Sequence, residues 1–429
     1  MGSGKRNISE RINLSDELKK FRQDKEGRTV AANFGYLTIL QVASYAFPFI
    51  TMPYLARVIG TDGFGKIAFA NAVLVWFQAV SDWGFTFTAT RDVAQNRDDR
   101  EKVSEIFSNV LWSRFLLTFL SAVVLALTIA FIPLFRENAL ILVVSFLLIP
   151  GHILFPDWFF QAVEKMHFTT ILGVSSRLIF TLLVFVFIRD RNDYYWQPLL
   201  TTIGYLICGA VAQYIILHKW GYHLCRPDIR KTLDCIKKST NVFINSITHN
   251  LYNSFSVILM GFWGGSYANG IYDGAKKFFS VFYYLQQVLS RAYFPYLSRR
   301  KDKFHSYEVL NNSLGVLVSV LLFMSAPLLV HIMLGPEFEE SITVLRILAV
   351  SFFFLELCET YGTNYLIVYH HERDQRNITL ISSLIGMAAA VPLVKYYTYI
   401  GAALTMLVSR VLLGTLSFLR ARKYISASK

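Results

Sequence analysis

About twelve stretches of roughly 20 mostly apolar residues, each bounded by charged or turn residues, follow one another from Asn33 to Arg420. A helix of that length crosses the ~30 Å hydrocarbon core of a bilayer. Lipid offers no hydrogen bonds, so each crossing segment must satisfy its own backbone, as a helix does. The pattern predicts an all-α polytopic membrane protein. Composition agrees: 54% of the 429 residues are apolar, only 17% are charged and mean hydropathy is +0.41. This excludes a disordered or collagen-like chain and most soluble enzymes. Cys208, Cys225, Cys235 and Cys358 form no CxxC pair and are expected to be reduced.

The chain also carries 42 Lys and Arg against 29 Asp and Glu, a formal charge of +13. On a soluble protein that surplus suggests nucleic acid. With a cytoplasmic N-terminus, however, 29 basic residues fall on the cytoplasmic side, 6 outside and 7 within the spans. That asymmetry follows the positive-inside rule, so no nucleic-acid partner is expected. An even number of spans puts both termini in the cytoplasm, as expected for a multi-pass protein of the bacterial inner membrane. Residues 1–32 are charged and contain no long apolar stretch, so no signal peptide is expected there. In this tail Ser15 is placed to cap a helix, with Leu14, Leu18 and Phe21 on one face. The tail suits an interfacial helix on the anionic inner leaflet and a solvated charged extension equally.

The longest connection after the tail, His218 to Ser239, divides the spans six and six. The expected organisation is an N-terminal tail (1–32), an N-lobe (33–217), a cytoplasmic linker (218–239), a C-lobe (240–420) and a C-terminal tail (421–429), the lobes enclosing a central cavity. At an offset of 205 residues, GKIAFA (Gly65 to Ala70) aligns with GIYDGA (Gly270 to Ala275), each opening the second helix of its half. Two of the six positions are identical. The shared placement favours a duplicated six-helix unit, a common plan of alternating-access transporters.

Two motifs suggest other chemistry. GTDGFGKI (Gly60 to Ile67) lacks the final Ser or Thr of a phosphate-binding P-loop and falls in a short turn between spans, so its glycines are read as turn residues. His218, His223, Cys225 and Cys235 match no standard zinc spacing. No metal site and no cofactor are expected. The outer loops are too short to hold a catalytic domain, so the chain is not expected to be an enzyme.

An ionised side chain at a helix centre costs about 2.5–3.5 kcal/mol on insertion scales, so each needs a partner, a cavity or a function. Asp273 has lysines three and four residues on, Lys276 and Lys277. One acid cannot neutralise two bases, so at least one lysine is expected to meet an anion. Glu356 and Glu359 share a helix face and suit a proton or sodium site or a hydrogen-bonded pair. Asp82 is a further intramembrane carboxylate, and Tyr45 is among the aromatics able to stack on a sugar or flank a lipid.

The stretch ARVIGTDGFGKIAFANAVLVWFQAVSDWGFTFTATRDVA (Ala56 to Ala94) resembles the amino-terminal signature of Wzx-type O-antigen and capsule repeat-unit flippases, members of the multidrug/oligosaccharidyl-lipid/polysaccharide exporter superfamily. NGIYDGAKK (Asn269 to Lys277) and FPYLS (Phe294 to Ser298) are similar to the start and end of that family's eighth helix. The resemblance implies twelve helices in two lobes, with a cavity lined mainly by helices 1, 2, 7 and 8. It implies as substrate an undecaprenyl-pyrophosphate-linked oligosaccharide, moved to the periplasmic leaflet for O-antigen, capsule or exopolysaccharide assembly. Lys276 falls where related lipid II flippases place a cavity arginine, and the internal repeat puts Asn71 at the matching point of helix 2. Arg91 matches an arginine at the end of helix 2, where gating is implied. Helix 7 offers His249, Asn250 and Asn253 where many relatives carry an acid, which leaves the coupling ion open between H+ and Na+.

The expected substrate-binding set is Lys276, Lys277, Asn71, Asn250, Asn253, His249 and Tyr45. The expected gating or coupling set is Arg91, Asp82, Asp273, Glu356 and Glu359. Membrane lipids and polysaccharide-assembly proteins are the remaining partners to consider. Two alternatives stay open: a cation-coupled small-molecule exporter of the same superfamily, and a membrane glycosyltransferase or polymerase.

Overall fold

A computed structural model describes residues 25–427, without the side chains of residues 25–31, 34, 245–253, 292, 295 and 427. Helix accounts for 91% and no strand occurs among the described residues, so the protein is all-α. The tail before residue 25, including the Ser15 cap, and the side chains of His249, Asn250 and Asn253 lie outside the described residues.

The N-terminal half is built from α1 (Lys25–Asp82), α2 (Phe85–Gln95), α3 (Arg100–Phe131), α4 (Pro133–Glu137), α5 (Ala139–Phe146), α6 (Leu148–Leu154), α7 (Asp157–Ala162), α8 (Met166–Phe187) and α9 (Trp196–Tyr214). The C-terminal half comprises α10 (Ile229–Trp263), α11 (Gly265–Arg299), α12 (Phe304–Met333), α13 (Ser341–Leu357) and α14 (Glu372–Ala427). Eight helical segments among the described residues are long and apolar enough to cross a membrane. Two of these run to 61 and 55 residues, about twice a span. Each is two helices that meet at a residue with non-helical, positive-φ backbone, Gly60 (φ 65) in α1 and Thr398 (φ 47) in α14, so each has the length for two passes. Helices α10 and α11, 35 residues each, are also long enough to cross and carry more polar residues than most of the others.

The outward faces identify the solvent. Phe131 and Phe119 on α3 are 78% and 66% exposed, and Met324 on α12 is 74% exposed, with exposed Val320 and Leu328 one turn to either side of it. Contiguous apolar surface of this kind is unfavourable in water. In lipid it costs nothing, and the protein is a polytopic membrane protein.

Breaks in the helices decide where the polar groups end up. Pro156 keeps Phe155 out of helical backbone (φ −98, ψ 85), so the fourth apolar run is interrupted and α7 restarts at Asp157 in the interior. Trp83 (φ 40) and Gly84 (φ 76) break the second pass between α1 and α2. Helix α10 starts at Ile229, inside the segment expected as linker, with its first turn capped by the Asp228 carboxylate. The preceding strand of chain is tied to α3: Trp112 Nε1 donates to the Cys225 carbonyl (3.1 Å), and Ser108 Oγ accepts from the Cys225 amide (2.9 Å). Outside the apolar runs, Lys231 pairs with Glu105 (2.8 Å), and this carboxylate raises the Lys231 ammonium above its ordinary value.

Candidate functional site at the lobe interface

The halves meet along α1 and α11. At the end carrying Gly60 and Gly265, Gly65 packs so closely on α11 that a Cβ would lie 1.7 Å from the Ser266 carbonyl oxygen, and Gly270 packs likewise on the Thr61 carbonyl, 2.1 Å from its own notional Cβ. Ser266 Oγ donates to Asp62 (3.0 Å), Arg57 Nη2 donates to the Ile332 carbonyl (2.7 Å), and Arg191 pairs with Glu337. Phe64 sits edge-on to Phe338 with ring centroids 5.5 Å apart. At the opposite end, which carries the 218–239 segment, Trp83 lies flat on Phe243 of α10 (3.9 Å, 6°), and Thr88 and Ser239 hydroxyls are 2.7 Å apart.

Between these ends α11 presents a polar ladder. Lys276, Ser280, Tyr283, Gln287 and Arg291 recur at three- and four-residue steps and so share one side of the helix. Ser280 Oγ donates to the Lys276 carbonyl (2.8 Å), Gln287 Nε2 to Tyr283 Oη (2.6 Å) and Arg291 Nη2 to Gln287 Oε1 (3.2 Å). Across from it, Tyr45 of α1 stacks on Tyr284 with centroids 4.0 Å apart, and Gln41 Nε2 donates to the Tyr45 hydroxyl.

The two lysines behave differently. The Lys277 ammonium is 3.3 Å from Asp273 and 3.7 Å above the Phe64 ring, so it is committed to the lobe contact. Lys276 has no carboxylate within 4.0 Å among the described residues; the Tyr272 ring lies 5.8 Å away, and Asp273 and Arg410 act on it at longer range. Asn71 is exposed and meets no hydrogen-bond partner among the described residues. Arg91 pairs with its neighbour Asp92 (2.9 Å) at an exposed helix end.

Glu356 and Glu359 sit inside the C-lobe, at and beside a π-helical turn over Cys358–Ile367. Glu356 is 1% exposed; its Oε2 accepts from Asn311 (3.0 Å), and Oε1 has no partner among the described residues. Asn311 also accepts from Gln286 (2.8 Å), and Glu359 accepts from Ser290 (3.0 Å). These carboxylates belong to a buried hydrogen-bonded network with α11 and α12.

Asp82 pairs with Arg114 of α3 and accepts from Thr86 (3.3 Å). Both line a cavity of about 160 Å³ that also holds Gln78, His152 and Asp157. Sequence reasoning singles out Asp82 among these as an intramembrane carboxylate, but nothing in the sequence groups it with Arg114, His152 and Asp157. Only the break at Pro156 brings α6 and α7 against α3.

The chain matches the family described as polysaccharide biosynthesis protein over residues 30–301. Proteins of Escherichia coli (strain K12) and Shigella dysenteriae, both named "Putative O-antigen transporter", are each 26% identical to it, over 91% and 89% of this chain and 96% and 97% of their own lengths. Among solved structures, the lipid II flippase MurJ in an inward closed conformation superposes with a TM-score of 0.71 at 14% identity, covering 90% of this chain and 87% of MurJ. An inward-facing multidrug resistance MATE family transporter of the MOP superfamily gives 0.66 at 15% identity, covering 92% and 98%. These two likenesses establish the fold. The sequence match spans well over half of the chain, and the protein therefore belongs to the polysaccharide biosynthesis protein family.

Proposed function

We propose that this protein is a flippase of the bacterial inner membrane that moves undecaprenyl-pyrophosphate-linked oligosaccharide from the cytoplasmic to the periplasmic leaflet by alternating access. The observation that carries the reading is Lys276, an ammonium in a membrane helix with no carboxylate within 4.0 Å among the described residues, Asp273 being paired with Lys277. A charge there is costly unless something neutralises it. A pyrophosphate headgroup supplies the missing negative charge, and the hydroxyl and amide groups of the ladder below it offer hydrogen bonds to sugars. Tyr45 and Tyr284 give flat apolar faces on the same side of the path. An exporter of cationic compounds would need the opposite sign at this point.

The names of the two bacterial relatives and of MurJ support a polysaccharide-precursor cargo. The reciprocal packing of Gly65 and Gly270 supports rocking, because a contact repeated about a pseudo-two-fold axis can open as a unit. In this reading the Gly60 end is periplasmic, the 218–239 segment is cytoplasmic, and α10 and α11 are polar because they face the path.

The test is surface polysaccharide in cells whose own copy is deleted. Lys276→Ala is expected to abolish it while the protein stays in the membrane, and Lys276→Arg is expected to retain it. Normal polysaccharide with Lys276→Ala would overturn the cation's role.

A further inference from the structure

Two carboxylates and one guanidinium share the N-lobe cavity. Asp82 comes from the end of α1, Arg114 from α3 and Asp157 from the start of α7. Arg114 is 7% exposed, and its Nε has no partner among the described residues, so the guanidinium is held by Asp82 with donor capacity to spare. The Asp157 carboxylate accepts from the Trp158 amide (2.8 Å) and lines the same space. The other polar groups facing in are Gln78 and Ser81 of α1, Thr86 of α2 and His152 of α6. Behind His152 stand Tyr205 of α9, with ring centroids 4.0 Å apart, and Arg177 of α8, which donates to the Gly173 carbonyl (2.8 Å). Cys208 of α9 donates to the Leu172 carbonyl (3.2 Å).

Like charges sharing one cavity resist being ionised together, and a single guanidinium cannot fully pair two carboxylates; Asp82, its side chain 41% exposed, is the one open to a proton from solvent. With both acids ionised, the surplus is one negative charge at the cavity. A metal ion would need several oxygen ligands beside a fixed cation, and no cluster of three or more His, Cys, Asp or Glu suited to a metal occurs among the described residues. One proton on one carboxylate oxygen is enough.

The position of Asp82 gives that proton a mechanical effect. It is the last residue of α1, and the next residue, Trp83, has left-handed backbone (φ 40), a conformation that bulky side chains avoid. Trp83 is also the residue stacked on Phe243 of α10, with its Nε1 donating to Thr240 (3.2 Å), and Gly84 packs on Val242. Helix α10 continues from there into the C-lobe, where it packs on α14. One peptide bond thus separates the ion pair of the N-lobe interior from the contact that joins the halves at the linker end.

We propose that Asp82, Arg114 and Asp157 form a proton-binding site, and that a proton on Asp82 releases Arg114 toward Asp157 and loosens the Trp83–Phe243 contact. The proton comes from solvent and stays on the Asp82 carboxyl, which keeps its hydrogen bond to Thr86 but loses its ionic hold on α3. With the ion pair gone, the strained Trp83 backbone is free to relax and the linker end to open. The proposal rests on the alternating-access reading for its purpose, while the site and its coupling stand on the geometry.

The experiment is amide hydrogen exchange on the full-length protein in lipid nanodiscs, without substrate. At a fixed pH of about 7.5, Asp82→Asn, which imitates the protonated acid, is expected to speed exchange at least fivefold in residues 83–90 and 239–244. Asp157→Asn, which leaves the Asp82–Arg114 pair in place, is expected to leave both segments at the wild-type rate. Equal protection of these segments in wild type and Asp82→Asn overturns the proposal. If Asp82→Asn loses protection throughout the N-lobe, the wild-type protein from pH 8 to pH 5 decides the matter, after correction for the intrinsic pH dependence of exchange. A rise confined to the two segments supports the latch, and a flat profile overturns it. No transport is measured, so failure of the cargo assignment and failure of this site are seen separately.

Discussion

Gly65 and Gly270 pack reciprocally: Gly65 lies on the Ser266 carbonyl and Gly270 on the Thr61 carbonyl, with no room for a Cβ on either. Thr61 and Ser266 stand at the same 205-residue offset as the two glycines. Each contact is thus matched by its repeat partner, as at the self-complementary interface of a two-fold dimer, here within one chain.

Gly65→Ala and Gly270→Ala are therefore expected to have the same effect. Either methyl group must push α1 from α11, and overpacking of this kind costs about 1–3 kcal/mol. That corresponds to roughly a fivefold to 150-fold shift away from the contact. Hydrogen exchange at residues 59–66 and 266–274 is expected to rise in both segments for either variant. A response confined to the substituted segment would contradict the reciprocal contact.

The Arg191–Glu337 pair bridges the halves at the same end, yet the two side chains are 72% and 43% exposed. Exposed pairs contribute about 0–1 kcal/mol and are screened by salt. Arg191→Ala is expected to leave surface polysaccharide near the wild-type amount. A loss as complete as that expected for Lys276→Ala would show that the pair has a larger role.

Inside the C-lobe, Asn311 donates to Glu356 and Thr360 and accepts from Gln286. Asn311→Leu strands these buried groups, each unmade bond costing about 1–3 kcal/mol. Its melting temperature in detergent is expected to fall by several degrees. Glu356→Gln can still accept from Asn311 and is expected to melt at or above the wild-type temperature, since a neutral amide of the same shape needs no counter-charge in a buried site. A large drop for Glu356→Gln would mean that the ionised carboxylate is required for the fold.

Lys277 and Lys276 differ in what they leave behind. Lys277→Ala takes from Asp273 its ion-pair partner within 4.0 Å and removes the cation from the Phe64 face. It is expected to lower the amount of folded protein, and Asp273→Asn combined with it is expected to recover part of that loss. Lys276→Ala strands no recorded ion-pair partner and is expected to leave the folded amount unchanged. Quantitative membrane immunoblots separate the two cases.

The helical fold was legible because spans announce themselves by length and apolarity, and the glycines at 65 and 270 because a repeat places them alike. The paired fate of Lys277 and the unpaired state of Lys276 were legible only as alternatives, since spacing puts both lysines within reach of Asp273. Phe64, which comes from the other half, decides between them. The N-lobe cavity was not legible as a unit. Asp82, Arg114, His152 and Asp157 lie on four helices, and only the breaks at Trp83 and Pro156 bring them together. The polarity of α10 and α11 weakens their hydropathy signal for the reason that makes them interesting: in the proposed mechanism their surroundings are a path rather than lipid.

The central claim is that Lys276 neutralises a lipid-linked pyrophosphate during translocation. Its most direct test is the purified full-length protein in liposomes loaded with a polyprenyl-pyrophosphate oligosaccharide, with appearance of the glycan in the opposite leaflet read by an impermeant probe. Wild type and Lys276→Arg are predicted to translocate it, with Lys276→Ala at the protein-free rate although equally incorporated. Equal translocation by wild type and Lys276→Ala would contradict the account.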